Sequence, residues 1–419
     1  MIFSSLDLAP EIQQALDACG YNEMTTIQEH AIIPARRGKD ILANAQTGTG
    51  KTAAFALPIL QQMHNSPKPT LPGNPRALIL TPTRELAEQL TETISRYAQF
   101  MPLTITALYG GGKISAQQKK LKAGVDIAIA TPGRLLEHME QNNIDLGTVE
   151  FVVLDEADRM LDMGFIADVQ AVLKTTPKKH QTLMFSATMS DAVKKLANQL
   201  LSKHEVISAA KQNAIADTVE HVVYPIEELR KAELFVDLIG QHNWFKVLVF
   251  TSTKAQADEL MDKLKQLRIK TALCHGDKSQ GSRRRAIADF KADKVQVLIA
   301  TEVAARGLDI QGLEHVVNFN LPYLAEDYVH RIGRTGRAGS KGQAISFVSR
   351  EEERSLKNIE KLIGERIKRI KMPGYAVGSR ETLLNTVAKN NRPARTNKAS
   401  ETKIDSKGGI AKVGRKKKR

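Results

Sequence analysis

Residues 45–52 read Ala45-Gln46-Thr47-Gly48-Thr49-Gly50-Lys51-Thr52, after the short apolar run 40–44 and before a helix-like stretch over 51–62. A strand, a glycine-rich turn and a helix in that order form a loop whose backbone N–H groups close around phosphate oxygens, where Cβ atoms would be in the way. The helix N-terminus adds its own preference for an anion. Lys51 supplies a compact positive charge for the β- and γ-phosphates, and the Thr52 hydroxyl suits Mg²⁺. Ala45 stands where the strict pattern begins with glycine.

Further along, Phe151-Val152-Val153-Leu154 runs into Asp155-Glu156-Ala157-Asp158. A fully apolar strand of this kind places Asp155 at its carboxyl edge, beside the phosphate loop, where a carboxylate holds Mg²⁺ directly or through water. Glu156 follows it, in position to orient or deprotonate an attacking water. Loop and carboxylates together predict a nucleoside triphosphatase.

The remaining pattern is α/β. Candidate strands at 77–80, 125–130 and 182–185 join 40–44 and 151–154 in a first unit, and each ends in a Thr, Ser, Asp or Pro cluster. That rhythm predicts a doubly wound parallel sheet with its chemistry at the strands' carboxyl ends. Periodicity lapses over 208–217, then restarts with strands at 247–250, 271–273, 295–300 and 316–319 and helices over 255–267 and 283–290. The second unit has no phosphate loop.

No window of eighteen apolar residues exists, and residues 1–7 lack a basic segment followed by an apolar one, so the expectation is a cytoplasmic chain without a membrane partner. Cys19 and Cys274 are the only cysteines and make neither a metal spacing nor a disulfide framework. The formal charge of +15 is uneven: residues 371–419 hold 14 Lys+Arg against 3 Asp+Glu, whereas the rest holds 47 against 43. A nearly neutral globular part with a polycationic end suggests a polyphosphate partner; a solubilising end is the other reading.

Asp155-Glu156-Ala157-Asp158 resembles the signature of DEAD-box RNA helicases, and other motifs similar to that family's follow in order over residues 3–337. The resemblance implies two tandem RecA-like doubly wound parallel-sheet domains, 1–207 and 218–370, joined by a linker, 208–217, and followed by a disordered basic tail, 371–419. Tyr21, Thr25 and Gln28 look like an adenine-reading segment, with Phe3 as its upstream aromatic. An aromatic face stacks on adenine, and a Gln amide both donates to and accepts from the base edge. Met24 and Thr26 stand where the family often has proline. Pro82-Thr83-Arg84, Gly110-Gly111 and Thr131-Pro132-Gly133-Arg134 resemble RNA-contacting segments of the first domain, and Gln280, Arg283, Thr301 and Arg306 their counterparts in the second.

By the same resemblance Asp158, Ser186, Thr188 and His330 couple the sites, with the Ser186 and Thr188 hydroxyls linking the carboxylate strand to the second domain. Asp309 accepts from a ribose hydroxyl, and Arg334 and Arg337 reach the γ-phosphate as arginine fingers. Glu302 replaces the family's usual Asp. Asp158 to Phe165 and Met372-Pro373-Gly374-Tyr375 resemble the bacterial RhlE-type subgroup. The implied ligands are ATP, Mg²⁺ and RNA, bound by a monomer that works with ribonucleoprotein or RNA-decay partners. Two activities share these motifs, unwinding of short RNA duplexes and an ATP-gated RNA clamp; a DNA helicase is the third reading, and the family resemblance argues against it.

The tail reading has a measurable consequence. Deleting 371–419 should weaken RNA binding most at low salt and flatten the slope of log affinity against log salt by several units, at roughly 0.7 per phosphate contact on single strands. Affinities of the full-length and shortened chains at three salt concentrations check this. Parallel lines would favour the solubilising reading.

Overall fold

A computed structural model describes residues 1–45, 48–208, 219–305, 310, 313–335 and 342–375. Its first sheet contains β1 (Ile41–Asn44), β2 (Ala77–Leu80), β3 (Ile105–Leu108), β4 (Ile127–Ala130), β5 (Phe151–Leu154), β6 (Gln181–Ser186) and β7 (Glu205–Ser208). The order across the sheet is β3-β4-β2-β5-β6-β1-β7, and every pairing is parallel. The second sheet contains β8 (Val219–Pro225), β9 (Val247–Thr251), β10 (Thr271–Cys274), β11 (Val297–Thr301), β12 (His315–Asn318), β13 (Gly342–Val348) and β14 (Lys368–Arg369). Its order is β10-β11-β9-β12-β13-β8-β14, again parallel throughout. Renumbered from its first strand, the second sheet repeats the first without change.

The central strands are apolar because helices cover both sheet faces. In β2, Ala77 and Ile79 join one core layer while Leu78 and Leu80 join the other. β5 divides the same way, Phe151 and Val153 on one face, Val152 and Leu154 on the other. In the second domain Val247 and Val249 face one layer, and Leu248 and Phe250 its opposite. Among the described residues no helix is long and apolar enough to cross a membrane.

Ser208, placed by periodicity at the start of a linker, is the last residue of β7 and pairs with Asn44 of β1; residues 209–217 lie outside the described residues. The chain also stays on the second domain beyond 370: Met372 and Tyr375 pack against that core, and the Arg230 guanidinium donates to the Gly374 carbonyl at 2.7 Å and sits 4.3 Å from the Tyr375 ring centre. The tail from 376 onward is outside the described residues.

Asp40 fixes the strand that feeds the phosphate loop. Its two buried carboxylate oxygens accept from the backbone N–H groups of Thr182, at 2.8 Å, and Ser202, at 2.7 Å. One side chain thus ties β1 to its neighbour β6 and to the turn entering β7. Asp40→Ala strands both amides and should cost about 2–4 kcal/mol. Calorimetry should show the first domain's transition lowered. The fluorescence transition of Trp244, the sole tryptophan and a core residue of the second domain, should stay in place.

Candidate functional site

The strand order sorts the motifs. Nucleotide-site segments follow β1, β5 and β6, which are adjacent, whereas the segments at 82–84, 110–111 and 131–134 follow β2, β3 and β4. All leave the carboxyl edge of one sheet, where a parallel sheet gathers its ligands.

At the nucleotide end, the helix Lys51–Asn65 begins directly after Gly50, whose φ of +92° is open to glycine but not to most side chains. A Cβ there would also lie 2.3 Å from Gln28 Nε2. Gln28 is buried, donates to the Gly50 carbonyl at 3.1 Å and accepts from the Thr25 N–H at 2.8 Å, closing a capping box on the helix Thr26–Arg36. The amide expected to read adenine instead clamps its own segment to the phosphate loop. Phe3 also differs from expectation. It is 1% exposed and stacks on Tyr21, ring centres 6.2 Å apart, so of the two only Tyr21, 38% exposed, reaches the surface. Ala45 is buried and donates to the Ser186 carbonyl at 2.9 Å. Gly48 and Thr49 complete the described part of the loop; Gln46 and Thr47 lie outside it.

Lys51 is buried with its ammonium 3.6 Å from Asp155. Burial opposes its charge, but Asp155, Glu156 and Asp158 more than offset this and its pKa is raised. Burial also raises the pKa of Glu156, against the pull of Lys51. Glu156 sits in the left-handed region, φ +54° and ψ +52°, at the start of the helix Ala157–Asp162. That is uncommon for a side chain with a Cβ and is sustained here by the packed surroundings. Asp155 accepts from the Glu156 N–H at 3.1 Å. Carboxylate and Thr52 hydroxyl oxygens are the donors a hard cation prefers, whereas the buried Lys51 ammonium, with no hydrogen-bond partner among the described residues, suits an anion such as phosphate. Among the described residues no group of three or more His, Cys, Asp or Glu side chains is placed to hold a metal ion.

Asp158 accepts from the N–H groups of Ala187, at 3.1 Å, and Thr188, at 3.0 Å, while the Ser186 hydroxyl donates to the Thr188 carbonyl at 2.8 Å. The link from carboxylate strand to coupling motif therefore runs through backbone amides, and the Ser186 hydroxyl stays inside the motif rather than reaching the second domain.

The second domain completes this end. Arg334, His330, Glu302, Phe250 and Ala305 line one pocket with Glu156 and Arg159 of the first domain. Glu302, longer than the usual Asp, ion-pairs with Arg331, whose guanidinium also donates to the Asn320 carbonyl at 2.7 Å. Arg159 forms a buried ion pair with Asp327 on the helix Ala325–Ile332. Arg306, Asp309 and Arg337 lie outside the described residues.

At the other end, Pro82, Thr83, Arg84, Gly110, Gly111, Thr131, Gly133 and Arg134 line a groove of about 460 Å³ that also receives Gly276, Arg283 and Ala304 of the second domain. Pro132 is buried just behind it, at the start of the helix Pro132–Glu140, and Thr301 is buried at the end of β11. Gly111 has φ +82°, and a Cβ on it would lie 1.9 Å from the Arg84 guanidinium. Arg283, expected to contact RNA, is buried and ion-paired at 2.7 Å with Glu85 of the first domain. It ties the two domains together. Gln280 keeps both amide atoms buried with no partner among the described residues. Sequence reasoning missed Glu85, Arg159 and Asp327. Each is a charged residue within or beside a quoted motif, and only the fold reveals its partner.

Two family profiles match the chain, DEAD/DEAH box helicase over residues 25–196 and helicase conserved C-terminal domain over 230–339. The RNA helicase RhlB of Pseudomonas syringae pv. tomato is 40% identical over 370 residues, 87% of this chain and 93% of that protein. This chain is a DEAD-box protein. CshA of Bacillus cereus, also named as a DEAD-box ATP-dependent RNA helicase, is 40% identical over 88% of this chain and 70% of its own length. Among solved structures, yeast Dbp5 bound to RNA and ADP-BeF3 is 32% identical, with a TM-score of 0.79 over 93% of this chain and 99% of that one. Mss116 bound to ssRNA and UDP-BeF is 28% identical, with a TM-score of 0.80 over 89% and 80%. Tandem RecA-like domains are thus the fold of this DEAD-box chain.

The Arg159–Asp327 pair gives this family fold a testable closing contact. Breaking a buried pair on one side costs about 3–5 kcal/mol. Arg159→Asp or Asp327→Arg alone should lower ATPase kcat/KM at least about tenfold. The double exchange should recover most of it. A double variant no better than either single one would mean that the pair does not hold the domains.

Proposed function

We propose that this chain is an ATP-dependent RNA helicase that hydrolyses ATP when RNA is bound and locally separates short RNA duplexes or remodels RNA–protein complexes. The observation that carries the reading is the composite pocket: Glu156 and Arg159 come from one domain, Arg334 and His330 from the other. A site divided in this way is complete only when the domains meet, and RNA in the groove that Arg84 and Arg283 share favours the same meeting. Neither ligand alone fills both ends, so hydrolysis depends on RNA.

In this reading Lys51 and the loop bind the phosphates, Tyr21 stacks on the base, and Glu156, made more basic by burial, takes as its carboxylate the proton of the attacking water. Arg334 stabilises charge on the transferring phosphoryl group from across the gap, as Arg337 does by resemblance. Thr52 and Asp155 would hold Mg²⁺, which neutralises phosphate charge when bound. Gln280 and the N–H groups behind Thr83, Gly111 and Gly133 hold the RNA backbone, so no base sequence is read. Ribonucleoprotein or RNA-decay partners, a monomeric state and a place in the RhlE-type subgroup complete the proposal, the last resting on residues 158–165 and 372–375.

ATPase should rise with RNA oligomers and not with DNA oligomers of the same sequence, and a short RNA duplex should separate in the presence of ATP. Stimulation without strand separation would favour the clamp. Glu156→Gln keeps size and hydrogen bonding, so ATP affinity should survive while turnover falls by about two orders of magnitude or more. Turnover near the wild-type value would overturn the assignment of Glu156.

A further inference from the structure

Behind the groove lies a polar cluster of which only Arg134 belongs to a motif. Gln117 is buried on the helix Ile114–Ala123 and bonds in three directions. Its Nε2 donates to the Tyr109 carbonyl at 2.9 Å. Its Oε1 accepts from His138 Nε2 at 3.0 Å and from Arg134 Nη1 at 3.4 Å. Arg134 Nη1 also donates to the Gly112 carbonyl at 3.1 Å, and Arg134 Nε pairs with Glu137 at 2.8 Å.

The directions of these bonds are mutually fixed. Gln118 Nε2 donates to Asn143 Oδ1 at 2.7 Å, which turns the Asn143 NH₂ toward His138 Nδ1 at 3.3 Å. His138 therefore accepts at Nδ1 and carries its proton on Nε2, which is the donor that Gln117 Oε1 requires. His138 is fully buried, and burial together with Arg134 lowers its pKa, in keeping with a neutral ring. With Oε1 thus assigned, Nε2 can only face Tyr109. A Cβ on Gly112 would come within 3.2 Å of Gln117 Nε2, so the turn packs closely on this amide.

We propose that Gln117 is a positioning residue for RNA binding: it locks the 109–112 turn to the helix that carries Gly133 and Arg134, holding the spacing between two phosphate-contacting segments after they leave the paired strands β3 and β4. The β3–β4 ladder and the Thr131 N–H bond to the Leu108 carbonyl, at 2.9 Å, align the segments where they leave the sheet; beyond it, this amide and the Arg134 bond to Gly112 are the side-chain links that hold them. The inference depends on the groove binding RNA, as proposed above. A preset spacing matters because successive phosphates arrive at a fixed distance, and a groove that must first be ordered binds more weakly.

Gln117→Met keeps the volume and removes all three bonds; Gln117→Glu keeps both acceptor contacts and sets an oxygen against the Tyr109 carbonyl. Steady-state ATPase is measured against a polyuridylate oligomer and against ATP, with melting temperatures for each variant. For Gln117→Met the RNA concentration giving half-maximal stimulation should rise about tenfold, with the rate at saturating RNA and the KM for ATP within about twofold of wild type. Gln117→Glu should fall between wild type and Gln117→Met. A merely structural role would lower the melting temperature and the saturated rate and leave the half-maximal RNA concentration unmoved; that outcome, or an equal rise in the KM for ATP, overturns the proposal. Wild-type ATPase that ignores RNA would instead overturn the functional reading beneath it.

Discussion

One lysine and three carboxylates are buried together at the edge of the first sheet, and the site follows from that imbalance. Isolated charges are costly to bury unless paired or hydrogen-bonded. Asp158 is satisfied by the amides of Ala187 and Thr188, which draws the turn after β6 toward the helix after β5. Asp155 takes Lys51 and the Glu156 N–H. Glu156 is left with the raised pKa that burial produces. Negative charge remains in excess of the single lysine, an environment suited to a divalent cation. The same constraint explains why the loop, the carboxylates and the coupling motif occupy neighbouring strands.

Strands buried on both faces were legible in the sequence as unbroken apolar runs; Ala77–Leu80 and Phe151–Leu154 are of this kind. Strands whose apolar run is short or interrupted were mostly not, although the edge strand Thr271–Cys274 was read. Glu205–Ser208 buries one residue in four, Ile105–Leu108 alternates, and Val219–Pro225 carries Glu220 and His221 within its run. Gly342–Val348 also escaped, although it is buried along most of its length, because Gly342, Gln343 and Ser346 interrupt its apolar run. In the site, motifs gave which residues gather but not what each one touches. Gln28 reaches Gly50, Arg283 reaches Glu85, and Arg159 reaches Asp327, pairs that only the tertiary fold brings together.

Both sheets place nucleotide segments toward one end and groove segments toward the other along a single edge. From β1 to β4 are four strand spacings, about 19 Å at the usual separation. Arg159–Asp327 closes the gap near the first end and Arg283–Glu85 near the second, so the two interfaces bracket the cleft. A domain held at both points has little freedom left to rotate, and loss of either contact releases motion that is felt at the other.

The repeated strand order also gives Lys231 the place in the second domain that Lys51 has in the first. Each is the first residue of the helix that follows the first strand of its sheet. Lys231 is fully buried, but its ammonium meets the carboxylates of Glu352, at 2.6 Å, and Glu228, at 2.7 Å, where Lys51 is set to meet phosphate. The second domain thus holds a lysine at the equivalent place with its counter-anions built in, so the charge that one domain offers to a ligand serves the other as a structural strut.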